Sequence, residues 1–341
     1  GVHPAILKAM VEANEGTHAS YSYDALTKEA EKRLQSVFET DLRAFLLTSG
    51  TAANGLALST ITPPYGAVLT HAEAHIAIDE CNSPEMFTGG AKILGLPGAG
   101  GKLSPATIEK TLKTFVRAEH DPKPASVSIT NATELGTTYG PGEVKAISDL
   151  VRPRGLRLHM DGARFANALV GREASPAEMT WKAGVDGLSF GATKNGAMML
   201  EAVLIFDPRL AEDFLYRRMR AGQLLSKSRY LAAQMLAYIA DDLWLDNARR
   251  ANELARRLGE GLKGVSHARA GAPVEANEVF IAMPERLHEK LVTAGARCHQ
   301  WMSESLGQGS LREGDVLVRF VLSWATPEED VERVLSLIRA G

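Results

Sequence analysis

The chain has 341 residues, with 38 lysines and arginines against 41 aspartates and glutamates, for a formal net charge of −3; 45% of it is hydrophobic and 23% charged. At roughly 100–200 residues per domain that length suggests two domains with room for a large core, and the composition is that of an ordinary globular protein. The scattered charges exclude the basic footprint of a nucleic-acid binder and a polybasic membrane patch, and no run reaches the ~18 apolar residues of a membrane span.

No signal peptide is visible behind Gly1-Val2-His3-Pro4. Cys81 and Cys298 form neither a CxxC pair nor a metal-ligand spacing, so a reduced, cytoplasmic protein without a metal site is expected.

Along the chain, residues 24–38 place Leu26, Ala30, Leu34, Val37 and Phe38 on one helical face. Ala44-Phe45-Leu46-Leu47 reads as a buried strand that ends at Thr48-Ser49-Gly50-Thr51. A helix starts there and runs to about Ile61, before Pro63-Pro64 stops it. Further strands are predicted at 66–70, 91–96, 125–130, 156–160, 187–190 and 200–206, with helical patterns between most of them, such as 104–118 and 142–151. This alternation predicts an α/β fold whose mostly parallel sheet is covered by helices. Residues 207–263 read as nearly continuous helix, broken near Gly222 and around Asp241–Asp246. Strands at 277–283 and 316–323 and helices at 284–295 and 327–339 then form a smaller α/β unit. The expected division is 1–245 and 246–341.

Three segments carry chemistry. Ser49-Gly50-Thr51-Ala52-Ala53-Asn54-Gly55 opens a helix behind a strand. Helix N-termini present free amides and partial positive charge, so Gly50 and Thr51 suit a phosphate; alone, the segment is equally a common Ser/Thr cap. It is neither a Walker A motif nor GxGxxG. His159-Met160-Asp161-Gly162-Ala163-Arg164 delivers Asp161 at the carboxyl end of a strand, where open α/β sheets bind ligands. Asp161 can pair with a protonated ring nitrogen and Arg164 can grip a carboxylate; a plain ion pair is the alternative. Ser189-Phe190-Gly191-Ala192-Thr193-Lys194-Asn195-Gly196 sets a lone lysine among small residues just after an apolar strand. Those small neighbours suggest that something bulky packs against this backbone. A Schiff-base lysine needs its ordinary pKa of ~10.4 lowered by burial and positive charge.

Together, and with His75-Ile76 ahead of an acidic stretch, these segments resemble low-specificity L-threonine aldolases in order and spacing over essentially the whole chain. The resemblance implies the fold of the aspartate-aminotransferase type: a seven-stranded, mostly parallel sheet and a small C-terminal domain. It implies pyridoxal 5'-phosphate as cofactor, carried by Lys194, with Asp161 on the ring nitrogen and Gly50 and Thr51 at the phosphate. His75 matches the histidine that stacks on the ring and suits proton transfer, with His71 as a possible helper. Arg164 and Arg319 are expected on the substrate carboxylate. The implied reaction is retro-aldol cleavage of β-hydroxy-α-amino acids, L-threonine and L-allo-threonine, to glycine and an aldehyde, by a homo-oligomer, a dimer or dimer of dimers.

The chain departs from the family pattern at Asn131-Ala132-Thr133-Glu134, where many relatives carry a second histidine and Glu134 stands in its place. The base for the β-hydroxyl is therefore open among His75, Glu134, Asp79 and water. Lys227 and Arg229 are further phosphate candidates, reaching it from a neighbouring subunit, and Tyr21 and Asp24 match an interface segment. Trp324, Phe87 and Tyr139 either shape a pocket for a larger aldehyde, as in phenylserine, or belong to the core. The same cofactor also permits β-elimination, racemisation or amino transfer. A non-catalytic cofactor-holding protein is the remaining alternative, opposed by the presence of Lys194, Asp161 and Arg164 together.

Overall fold

A computed structural model describes residues 1–306 and 311–341. Its larger sheet has seven strands: β1 (Arg43–Leu47), β2 (Gly66–His71), β3 (Lys92–Leu96), β4 (Lys123–Thr130), β5 (Arg157–Gly162), β6 (Gly187–Gly191) and β7 (Glu201–Ile205). Their order is β1-β7-β6-β5-β4-β2-β3, and β7 alone runs against the other six. Every residue of β2, β6 and β7 is buried. That is the consequence of covering a sheet on both faces, and it is why these strands read as apolar runs and not as alternating ones.

The smaller sheet is antiparallel, in the order β10 (His299–Gln300), β11 (Asp315–Val321), β9 (Glu278–Pro284), β8 (Arg269–Ala270). Its strands alternate. Val279, Ile281, Met283, Val318 and Phe320 enter a core with Leu287, Leu291, Val331 and Leu335 of the two C-terminal helices. Phe280 and Leu317 point the other way, into a cluster with Leu135 of the larger unit. The helix Leu243–Glu260 joins the two cores: Trp244 and Ala248 enter the large one, Leu254 and Leu258 the small one.

Two helical segments differ from the sequence expectation. The helix expected over 104–118 stops at Leu112. Beyond it, the Arg117 amide and Nε both donate to Asp121, at 2.9 and 3.0 Å, a local ring that competes with helical bonding. The stretch 207–263 divides, at the two expected breaks, into Phe214–Arg220, Arg229–Ile239 and Leu243–Glu260. Gly222 turns with φ 66°, and Gln223 then reaches the end of β1, accepting the Thr48 amide at 3.1 Å and its hydroxyl at 2.9 Å. Asp241 and Asp242 take left-handed φ values of 49° and 57°, which ends the next helix. The helix Pro4–Glu12 was not anticipated; Pro4 stands at its first turn and the His3 ring accepts the Ala5 amide at 3.3 Å.

Gly171, in the helix Phe165–Arg172, fixes how closely the chain leading into β9 can approach. A Cβ there would lie 2.2 Å from the Glu275 carbonyl oxygen. Gly171→Ala is expected to destabilise the protein by about 1–3 kcal/mol, the usual cost of overpacking, as a lower urea midpoint. An unchanged midpoint would mean that the segment at 275 yields freely.

Candidate active site

The carboxyl ends of β1, β2, β4, β5 and β6 converge on one cavity of about 370 Å3. It is bordered by Gly50 and Asn54 after β1, His75, Asp79 and Glu80 after β2, Thr130, Ala132 and Glu134 at and after β4, Asp161, Ala163 and Arg164 from β5, and Lys194 after β6. Trp301 and Arg319 of the small sheet close it.

Asp161 is 3% exposed and its carboxylate is pinned at both oxygens. Oδ1 accepts the Ala163 amide at 2.9 Å and Oδ2 accepts Asn54 Nδ2 at 2.8 Å. Asn54 donates equally to Glu80 Oε1 at 2.8 Å, and that oxygen also meets His75 Nδ1 at 2.8 Å. A polar chain thus runs from Asp161 through Asn54 and Glu80 to His75. Burial pushes the Glu80 carboxyl up, against the opposing hydrogen bond from His75, and donation to Glu80 raises the His75 imidazole.

Lys194 occupies the single turn Thr193–Asn195 behind β6. Asn195 locks that turn, donating to Tyr238 Oη at 2.9 Å and the Trp244 carbonyl at 2.8 Å, while its own carbonyl accepts Asn247 at 2.9 Å. The lysine side chain has solvent-facing area because it borders the cavity, yet protein atoms crowd it. Desolvation, then the positive charge of Arg164, lowers its pKa below the ordinary lysine value, against the pull of Asp161, Glu201 and Glu278. The small neighbours of Lys194 serve chain packing: a Cβ on Gly191 would lie 2.5 Å from the Ala163 carbonyl oxygen, so glycine lets β6 close against the Asp161 turn.

Gly50 begins the helix Gly50–Ile61, capped by Ser49 Oγ on the Ala52 amide at 3.3 Å. The amides of Gly50 and Thr51 are first-turn donors that a helix leaves without an intrahelical acceptor. Gly50 borders the cavity; Thr51 is half-buried beside it. Arg164 and Arg319 meet across Glu278, the first residue of β9. Glu278 Oε1 lies 3.1 Å from Arg164 Nη2 and 3.8 Å from Arg319 Nη1. Glu278 is fully buried, and neither of its oxygens forms an aligned hydrogen bond among the described residues. One carboxylate between two guanidiniums leaves one positive charge uncompensated, the complement of a single substrate carboxylate.

These residues fit pyridoxal phosphate on their chemistry: a pinned buried carboxylate, a lysine of lowered pKa, helix-start amides, and orphaned buried oxygens of Asn54, Glu80 and Glu134 around one cavity.

A profile described as beta-eliminating lyase matches residues 1–286. The chain is 43% identical over 341 residues to the low specificity L-threonine aldolase of Pseudomonas sp. (strain NCIMB 10558), covering 100% of this chain and 95% of the relative. The chain belongs to the low-specificity L-threonine aldolase family. The Pseudomonas aeruginosa member is 44% identical over 339 residues, covering 99% of this chain and 94% of the relative. A solved threonine aldolase of Leishmania major superposes with a TM-score of 0.92 at 28% identity, covering 100% of this chain and 96% of that one.

In this aldolase-family chain, several expectations drawn from the sequence need correction. His71 does not face the cavity with His75: its Nε2 meets the Gly98 carbonyl at 3.0 Å and its Nδ1 accepts the Glu73 amide at 3.1 Å, so both ring nitrogens are occupied by backbone. Arg229, expected to reach a phosphate from a neighbouring subunit, donates within its own chain to the Ala13 carbonyl at 2.9 Å and lies over Tyr230, and Lys227 is exposed; neither borders this chain's own cavity. Asp24, expected near a subunit interface, also caps the helix Ala25–Phe38 through the Thr27 amide at 2.8 Å, and Tyr21 of the same segment is bound by its own amide to the Ser226 carbonyl. Tyr139 is a core residue whose hydroxyl accepts the Leu103 amide at 2.6 Å. Phe87 packs on Gly55, and Trp324 sits by His3 with rings 4.8 Å apart. Trp301 is the aromatic residue of the cavity wall instead. The sequence reading also passed over Glu80, Glu201 and Glu278. A lone glutamate inside the apolar run Val279–Met283 and its approach was the available signal for Glu278.

Glu134 Oε1 accepts the His75 amide at 2.7 Å, while its Oε2 is buried without a partner among the described residues. Burial, helped by the negative charge of Asp161, pushes this carboxyl up to about 7. An unfolded glutamate titrates near 4.5. Between those two pH values the folded chain keeps a proton that the unfolded chain has released. The contribution of Glu134 to stability is therefore full below about pH 4.5 and is lost as pH rises through about 7. Glu134→Gln, which cannot ionise, is expected to gain on the parent protein across that window, by on the order of 3 kcal/mol at its upper end. Urea denaturation of the cofactor-free protein at several pH values measures it; a difference that does not vary with pH would refute a protonated Glu134.

Proposed function

We propose that this chain cleaves β-hydroxy-α-amino acids, L-threonine and L-allo-threonine, at the Cα–Cβ bond, giving glycine and an aldehyde, with pyridoxal 5'-phosphate as cofactor. The observation that carries the reading is the single cavity that gathers Asp161, Lys194, Arg164 and Arg319 in a chain 43% identical to a low specificity L-threonine aldolase. When bound, the cofactor supplies an electron sink for the pair released as the bond breaks.

The protein does the rest. Lys194, its pKa lowered by burial, would hold the cofactor through its amine. Asp161, held still by Asn54 and the Ala163 amide, would pair with the ring nitrogen. The Gly50 and Thr51 amides would hold the phosphate. His75, its ring fixed by Glu80, would stack on the cofactor. Arg164 and Arg319 bind the substrate carboxylate. Among His75, Asp79 and Glu134, the base for the β-hydroxyl is Glu134: burial pushes its carboxyl up to about 7, near working pH, and Oε2 has no partner among the described residues. Glu134→Gln then lowers kcat by about 10²–10⁴-fold.

The polypeptide divides at 245/246 into a cofactor-binding part and a small closing part, inside the helix that serves both cores. The protein works in the cytoplasm as a dimer or dimer of dimers. Supporting this are the exposed Val11, Met198, Met199, Tyr216 and Met219, apolar surface that a partner subunit would cover. Among the described residues, no helix is long and apolar enough to cross a membrane.

The test is aldehyde release from L-threonine, L-allo-threonine and phenylserine by the cofactor-loaded protein. Release from the first two is expected. Bound cofactor with release from none would replace the aldolase reading by β-elimination, racemisation or amino transfer.

A further inference from the structure

Glu73 lies two residues before His75, outside the cavity lining, and no step above uses it. Its carboxylate nevertheless gathers a whole segment of the small unit. Oε1 accepts the Glu304 amide at 2.6 Å, the Ser305 amide at 2.9 Å and Ser303 Oγ at 3.1 Å. Oε2 accepts Ser303 Oγ at 2.9 Å and Ser305 Oγ at 3.0 Å. An ionised carboxylate meeting two amides and two hydroxyls makes charge-assisted bonds, about twice as strong as neutral ones. Glu73 is itself held by its own amide on Nδ1 of the His71 ring, whose Nε2 is fixed in turn at the Gly98 carbonyl.

The segment held in this way leads directly from Trp301. The Trp301 amide donates to the Leu317 carbonyl at 2.8 Å, and its indole meets Phe280 edge to face with centroids 6.0 Å apart. The Arg319 guanidinium lies 4.1 Å above the indole. The ring therefore sets the plane of one of the two arginines that face the cavity.

We propose that Glu73 is a positioning residue for the substrate carboxylate: by anchoring Ser303–Ser305 from across the two sheets it fixes Trp301, and Trp301 orients Arg319. This rests on the reading of Arg319 as a carboxylate ligand. The line of contacts explains why a carboxylate outside the cavity is satisfied by the small unit, and why the indole of the cavity wall lies under an arginine.

The test is steady-state kinetics of the cofactor-loaded enzyme with L-threonine. Glu73→Ala raises KM by about tenfold, the scale of losing an oriented cation–π contact, and changes kcat by much less. Trp301→Leu gives a similar rise, and the double variant adds little, because the two residues act in series. Glu73→Gln keeps one acceptor oxygen and falls between the parent and Glu73→Ala; it also stands in if the alanine variant does not fold. An unchanged KM in the Glu73 variants, or effects of Glu73→Ala and Trp301→Leu that simply multiply, overturns the proposal. Arg319→Ala separates the two levels. If it leaves KM unchanged, the carboxylate reading fails; if it raises KM while the Glu73 variants do not, the positioning role alone fails.

Discussion

Lys194→Ala is expected to reduce the rate of aldehyde release from L-threonine by about 10³-fold or more, the range for losing a group that acts on the reacting atoms, and to remove the visible absorbance of covalently held cofactor. Among the described residues bordering the cavity, this amine is the group able to make that link. Its surroundings favour the neutral form, because desolvation and Arg164 outweigh the carboxylates that pull the other way. The turn that presents it is held by Asn195, Tyr238, Trp244 and Asn247, so the alanine variant keeps its shape and its urea midpoint. Lys194→Arg separates charge from nucleophile: it retains a cation in the same turn but has no amine to condense, and it falls with the alanine variant. Substantial turnover in either variant would sink the assignment.

Asp161→Asn carries the second large effect. The amide preserves size while removing the charge that holds a proton on the ring nitrogen, so kcat falls by about 10²-fold or more, as for other lost electrostatic stabilisers. Cofactor is also retained less tightly, by about 10–100-fold, the worth of a charged hydrogen bond. A third consequence needs no cofactor. Asp161 raises the pKa values of Glu134 and Glu201 through its negative charge, although burial is the larger cause for both. Without that charge both carboxyls must titrate below about 7, and carboxyl titration of the cofactor-free variant followed by NMR reads the change. A variant with unaltered titration and unaltered kcat would place Asp161 outside the electrostatics of the site.

The division of the chain between legible and hidden follows the kind of interaction. Strands β2, β6 and β7 were visible because burial on both faces makes them largely apolar runs, and the helix start at Gly50 was visible because Ser49 is a capping residue behind a strand. The breaks near Gly222 and Asp241 were visible as well, but the stop after Leu112 was not: it depends on the bonds from Arg117 to Asp121, which periodicity does not encode.

The sequence by itself determined the alternation of strands and helices, the placing of Gly50, Asp161 and Lys194 at strand ends, and the family to which that order belongs, because each of these is local in the chain or is a motif of contiguous residues. Only the tertiary structure decided which groups meet across it: Glu80 with His75, Glu278 between Arg164 and Arg319, Trp301 rather than Trp324 at the cavity, and Glu73 with Ser303–Ser305. The last of these pairs residues 230 positions apart. Contacts of that reach follow from how two sheets are brought together, and nothing in the local pattern of hydrophobic and polar residues specifies them.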